Sequence, residues 1–209
     1  MSPPPLFILG TERSGSNLLR LILDSHPRIV IPHPPHVMRY FTPLVERYGD
    51  LADAARFRRL VDDVLTLVRA HIHPWPWVPD AEDLVRRARV VPGGDKPDLF
   101  SVYAALHEAV RDHQLGPDGG RWGCKSTFMI DHVDRIVAEW PGARLLWLYR
   151  DPRDVAASSR QSVFSAFHPW MTARLWDRQQ RQGLELEARG VPLLRIKYVS
   201  HAPTPSCSA

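Results

Sequence analysis

The chain has 209 residues, of which 44% are hydrophobic and 24% charged, with a formal net charge of +4. That length allows one domain, and the composition supports a buried core rather than a disordered chain. The basic excess is Arg-dominated, with Lys only at 96, 125 and 197; it suits an anionic small ligand and does not argue for nucleic acid.

Two further classes are excluded on count. Cys124 and Cys207 are the only cysteines, too few for a disulfide scaffold or a cysteine-based zinc site. No window nears the ~18 consecutive apolar residues of a membrane span. Met1 to Pro5 lacks the basic start, long apolar stretch and cleavage site of a secretory leader, so a cytoplasmic protein with reduced thiols is expected.

Leu6-Phe7-Ile8-Leu9 is a short apolar run that stops at Gly10 and reads as a strand covered on both faces. After a loop from Gly10 to Gly15, Leu18, Leu19, Ile22 and Leu23 recur at helical spacing. Ser25-His26-Pro27 ends that helix, because the residue before proline disfavours the α region. Ile29-Val30-Ile31 is a short strand. Residues 44–72 carry one helical pattern through Leu51, Leu60, Val61, Val64, Leu65 and Val68. Three prolines keep residues 73–79 irregular. Helices are expected over 80–89 and 99–114, with loops at Val91–Gly94 and Gly116–Gly120.

From Arg121 an α/β rhythm returns. Trp122 to Lys125 reads as a strand end, Ile130 to Trp140 as an amphipathic helix, and Ala143 to Tyr149 as a second buried strand. Asp151 to Arg160 starts a helix with Asp151 as its cap and Pro152 at the first helical position. A helix over Trp170 to Arg189 and a strand over Val191 to Ile196 follow, and the Ser/Pro/Thr-rich residues 200–209 read as a disordered tail. Strands alternating with helices imply a central parallel sheet flanked by helices: a P-loop-like, three-layer α/β fold, with residues 1–199 as a single domain and 44–115 as its mainly helical insertion.

Two segments carry chemistry. Gly10-Thr11-Glu12-Arg13-Ser14-Gly15-Ser16-Asn17-Leu18 joins a buried strand to a helix. A helix N-terminus offers unpaired N–H groups and a positive dipole end to a phosphate. Gly15 allows close approach, Ser14, Ser16 and Asn17 add donors, and Arg13 adds charge. A Walker loop needs Lys after its second glycine, and Ser16 stands there, which weakens a nucleotide kinase reading. The bland alternative is a strand-to-helix turn with polar caps. The second segment, Arg150-Asp151-Pro152-Arg153-Asp154-Val155-Ala156-Ala157-Ser158, places Arg150 at the carboxyl end of a strand, where open α/β sheets bind ligands. Its bland alternative is a set of surface ion pairs between Arg150, Arg153, Asp151 and Asp154. Ser158 lies about two helical turns on, so it points back only if the helix starts late or bends.

Taken together, Arg13-Ser14-Gly15-Ser16 and Arg150-Asp151-Pro152-Arg153-Asp154-Val155-Ala156 with Ser158 resemble the two nucleotide motifs of sulfotransferases that use 3′-phosphoadenosine 5′-phosphosulfate (PAPS), near the bacterial and Golgi-type branch. The resemblance covers residues 5–40 and 120–165. It implies that Arg13, Ser14, Gly15, Ser16, Asn17 and Leu18 bind the 5′-phosphosulfate, and that Arg150 and Ser158 bind the 3′-phosphate. It implies a metal-free transfer of a sulfuryl group to a hydroxyl or amine of a small-molecule or carbohydrate acceptor. Gly123-Cys124-Lys125-Ser126 is similar to a family element and assigns Lys125 to sulfonate or substrate contact. Arg13 and Lys125 are therefore placed among the catalytic residues.

A general base is also required. Pro34 stands where many relatives have Glu, so His36 is the first candidate and His33 the second, with Glu12 a further carboxylate nearby. His71, His73, Trp75 and Trp77 either line an acceptor pocket or fill a lid over the core. After Tyr198 the chain departs from the family pattern, and a shortened C-terminus is expected. Two alternatives to the transferase reading stand beside it: a P-loop-type kinase or phosphotransferase, and a non-catalytic nucleotide-binding relic.

Overall fold

In a computed structural model, which describes residues 3–90, 97–117, 119–162 and 168–199, the N-terminal apolar run is the central strand of a parallel sheet. The elements in chain order are β1 (Leu6–Gly10), α1 (Ser16–Asp24), β2 (Ile29–Val30), α2 (Val37–Phe41), α3 (Ala54–Ala70), α4 (Ala81–Ala88), α5 (Leu99–Leu115), β3 (Arg121–Lys125), α6 (Val133–Glu139), β4 (Arg144–Arg150), α7 (Pro152–Ser159), α8 (Pro169–Ala188) and β5 (Leu193–Tyr198). The strand order is β2-β3-β1-β4-β5, and every pairing is parallel. This is the expected central parallel sheet with flanking helices. The expected loop at Val91–Gly94 and the tail at 200–209 lie outside the described residues.

The sheet is covered unequally. On one face Phe7, Leu9, Trp122, Cys124 and Leu145 join the large core built with α3 to α6 and α8. Its centre is an aromatic cluster in which Phe7 meets Trp122 edge-on at 5.5 Å and Trp122 meets Trp140 at 5.5 Å. Helix α5 runs through this core, and an Asp98–Ser101 capping box fixes its start. On the other face Leu6, Ile8 and Ile31 pack with Leu19 and Leu23 of α1. Leu18, Leu21 and Ile22 of the same helix face outward, at 50%, 50% and 58% exposure, and Leu194 of β5 is 60% exposed. The apolar spacing read in α1 is thus wider than the stripe that the sheet buries.

Two helical stretches differ from their sequence patterns. The one expected across 44–72 is split: Thr42–Tyr48 is a 3₁₀ segment, Gly49 at φ 72° turns the chain, and Asp53 caps α3 by accepting from the amides of Ala55 and Arg56. Apolar periodicity passes through the turn because both pieces face one core: α3 buries residues in it, and Val45 and Tyr48 of the 3₁₀ segment pack partly buried against it. The one expected over 130–140 is a 3₁₀ segment, Thr127–His132, followed by the short α6. Asp151 caps α7 as expected, accepting from the Arg153 amide at 2.9 Å with Pro152 at the first position.

Candidate active site

From β1 the chain crosses to β2 at one edge, returns through β3, and then passes β1 to reach β4 on the other side. Such a reversal opens a crevice at the carboxyl ends of the strands. The β1–α1 loop and Arg150, the last residue of β4, meet there. Arg150 donates to the Arg13 carbonyl at 3.0 Å, and Arg13 Nε donates to Ser158 Oγ at 3.0 Å. The two candidate motifs, more than a hundred residues apart in sequence, are therefore bound directly to each other. Ser158 needs no bend in α7 to take part, because Arg13 reaches across to it.

Backbone geometry shapes the loop for close approach. Gly15 sits at φ 87°, and a Cβ there would meet the Tyr198 ring at 2.4 Å. Arg13 also adopts a positive φ of 65°. The amides of Ser16, Asn17 and Leu18 have no partner among the described residues, as expected of a helix start. Ser14 is fully buried and its hydroxyl is unpartnered. The Asn17 side chain faces its own helix instead, where its Oδ1 accepts from Arg20 Nε, and Arg20 in turn holds the Ile31 carbonyl.

A cavity of about 920 Å³ opens from this loop, lined by Arg13, Gly15, Ser16, Asn17, Leu18, Lys125, Arg150 and Ser158 at one end and by His33, His36, His71 and His73 further along. Lys125 ends β3 beside Ile8 and makes no hydrogen bond or ion pair among the described residues. Burial lowers its pKa, with Arg20 and Arg13 adding to the fall and Cys124 and Glu12 opposing it. Ser14 is not among the residues that line the cavity; an unpaired, partly buried ammonium and three free amides fit a phosphate or sulfonate group.

His36 starts α2 at a positive φ of 56°, with Nδ1 3.3 Å from Ser126 Oγ and its ring edge-on to Phe128 at 5.5 Å. Burial first, then Lys125, Arg39 and His71, lower its pKa to about 4. His33 is lowered to about 3 by burial first, then by Lys125, His73, Arg20 and His71, and its ring lies 4.3 Å from that of His73. Both imidazoles are neutral at pH 7. Trp75 and Trp77 are core residues and do not line the cavity: Trp75 is buried and donates to the His33 carbonyl at 2.6 Å, while Trp77 stacks on His113 at 4.1 Å. Among the described residues no group of three or more His, Cys, Asp or Glu is arranged to hold a metal ion.

Helix α8 supplies residues that motif reading missed. Trp176 donates to the Arg150 carbonyl at 3.0 Å, Gln179 to the Thr127 carbonyl at 3.1 Å, and Gln180 to Thr11 Oγ1 at 3.3 Å. One helix face thus braces all three strand-end loops. Its sequence signal is polar residues standing at inward helical positions of an otherwise amphipathic helix. Tyr198 was also missed; its place at the carboxyl end of a strand was the available signal.

A model of the sulfotransferase family matches residues 4–202. An uncharacterized protein from Aquifex aeolicus is 27% identical over 170 residues, 81% of this chain; the chain spans 18% of that relative. Two solved structures share the fold. The sulfotransferase domain of the Synechococcus PCC 7002 olefin synthase has a TM-score of 0.53 at 21% identity, over 94% of this chain and 67% of that one. The sulfotransferase domain of the curacin biosynthetic pathway has a TM-score of 0.54 at 18% identity, with the same coverage. With a family match across nearly its whole length, the chain belongs to the sulfotransferase family.

Proposed function

We propose that the protein transfers a sulfuryl group from PAPS to a hydroxyl or amine of a small-molecule or carbohydrate acceptor. The observation that carries this is the joint formed by Arg13, Arg150 and Ser158, which suits one ligand bearing anionic groups at both ends. The donor supplies an activated sulfonate on a 5′-phosphate leaving group. The amides of residues 16 to 18 cradle the phosphosulfate, and Arg150 and Ser158 hold the 3′-phosphate.

In the transfer, the acceptor oxygen forms a bond to sulfur as the bond from sulfur to the 5′-phosphate oxygen breaks, and the leaving phosphate keeps the electron pair. Negative charge grows on that phosphate, so Arg13, Lys125 and the loop amides lower the barrier by stabilising it. The acceptor proton passes to His36. With Nδ1–H donating to Ser126 Oγ, Nε2 keeps its lone pair for that proton. Ser16, at the position of a Walker lysine, leaves the kinase alternative without its phosphate-bridging group.

Calorimetry with 3′,5′-bisphosphoadenosine, AMP and ATP plus magnesium tests the reading, together with turnover of labelled PAPS. The bisphosphate is expected to bind tightest without magnesium. Arg150→Ala is expected to weaken it by roughly 10–100-fold, the loss of a charge-assisted contact, and to change AMP only a few-fold. Equal losses for both ligands would remove Arg150 from the 3′-phosphate, and tightest binding of magnesium ATP would reject the donor assignment.

A further inference from the structure

Away from the β1–α1 loop the cavity wall is basic: among the described lining residues Glu12, on that loop, is the sole carboxylate and four side chains are cationic. Arg13 and Arg150 are engaged with each other and with Ser158, and Lys125 ends β3 next to the loop. The fourth, Arg39, belongs to α2, the helix that directly follows His36. Its guanidinium lies 4.1 Å from the centroid of the Phe128 ring and 5.6 Å from that of Tyr40. It has no hydrogen bond or carboxylate partner among the described residues. The same Phe128 ring meets the His36 imidazole edge-on. Arg39 and His36 are thus one aromatic ring apart.

An arginine held over an aromatic face by a cation–π contact is partly pre-oriented, at less entropic cost per hydrogen bond than a roaming side chain. That planar fork matches a carboxylate. The donor's anionic groups already have Arg13, Lys125, Arg150 and the loop amides, so a cation beside His36 has the acceptor as its remaining partner.

We infer that Arg39 forms an anion subsite for the acceptor: the molecule whose hydroxyl meets His36 carries a carboxylate, bound by the Arg39 guanidinium against Phe128. The inference rests on the sulfuryl-transfer reading for the role of His36. It makes Arg39 a specificity residue and the acceptor a hydroxylated acid, such as a uronic acid glycoside, rather than a neutral alcohol.

The test uses a matched pair, p-nitrophenyl β-D-glucuronide and p-nitrophenyl β-D-glucoside, titrated calorimetrically with and without 3′,5′-bisphosphoadenosine. The wild-type protein is expected to bind the glucuronide about 10-fold more tightly, the size of one charge-assisted contact. Arg39→Gln is expected to erase that preference while leaving glucoside and bisphosphate binding unchanged, and Arg39→Lys to restore part of it. Arg39 is exposed, so neither variant disturbs the core. A preference that survives Arg39→Gln, equal affinity for the pair, or binding of neither overturns the subsite. Loss of bisphosphate binding with the acid preference intact rejects the donor reading instead and leaves the subsite standing.

Discussion

His36 shows how the site tunes one residue. A histidine in water titrates near 6.5, but burial and the cations Lys125 and Arg39 lower this one to about 4. A base must be unprotonated before it can accept a proton, so activity is expected to hold level from pH 7 down to about 5 and fall only as the pH nears 4. An unperturbed histidine would lose half its activity near 6.5. His36→Gln is expected to cut kcat by roughly 10²–10⁴-fold and leave bisphosphate affinity unchanged. A kcat profile breaking near 6.5 would place the base elsewhere. Stability follows the same shift with a definite sign. The unfolded chain takes up protons at His33 and His36 below 6.5 while the folded one resists until about 3 and about 4, so these groups contribute stability above 6.5 that is lost progressively as the pH falls below it.

Helix α8 shows the limits of general rules at the next scale. Replacing glycine by alanine inside a helix normally stabilises it by up to about 1 kcal/mol. At Gly183 the sign reverses, because a Cβ there would meet the Trp147 ring at 2.3 Å. Gly183→Ala must push α8 from β4 or force Trp147 off its rotamer, and an overpacked core costs about 1–3 kcal/mol. The same displacement would pull Trp176 from the Arg150 carbonyl and Gln180 from Thr11, so bisphosphate affinity should fall together with the melting temperature. A more stable variant with unaltered affinity would show that α8 does not hold the loops in register.

The same helix explains what the sequence disclosed and what it hid. The strands β1 and β4 were legible because each is a continuous apolar run bounded by turn residues, and the candidate nucleotide loops because glycine, serine and arginine stand at the ends of those runs. The 3₁₀ segments were not, since apolar spacing continues through a turn when both sides face one core. The bracing by Trp176, Gln179 and Gln180, and the pairing of Arg39 with Phe128, were hidden for a different reason. Each depends on which residues meet across the fold, and a single chain encodes that only through packing.

For the molecule as a whole, the β1–α1 loop is joined to the β4–α7 unit by polar contacts that include Arg13 to Ser158 and Arg150 to the Arg13 carbonyl, both exposed. Exposed polar contacts of this kind contribute little alone. Arg150 also pairs with Asp154 at 3.5 Å, so a ligand whose anionic groups engage Arg13 and Arg150 adds to existing contacts and ties the N-terminal strand-loop-helix to the β4–α7 unit. Bisphosphate at 100 times its dissociation constant contributes about 2.7 kcal/mol by mass action, which for a chain of this length raises the melting temperature by roughly 5–10 °C. The distribution of that stabilisation is more telling than its size. Amide hydrogen exchange is expected to slow at residues 11–19 and at 150–159 together when the bisphosphate binds, but at 11–19 alone with AMP at the same fractional saturation, since AMP carries no 3′-phosphate to engage Arg150 and Ser158. Protection confined to one segment with both ligands would mean that the loops, though in contact, do not grip a common nucleotide.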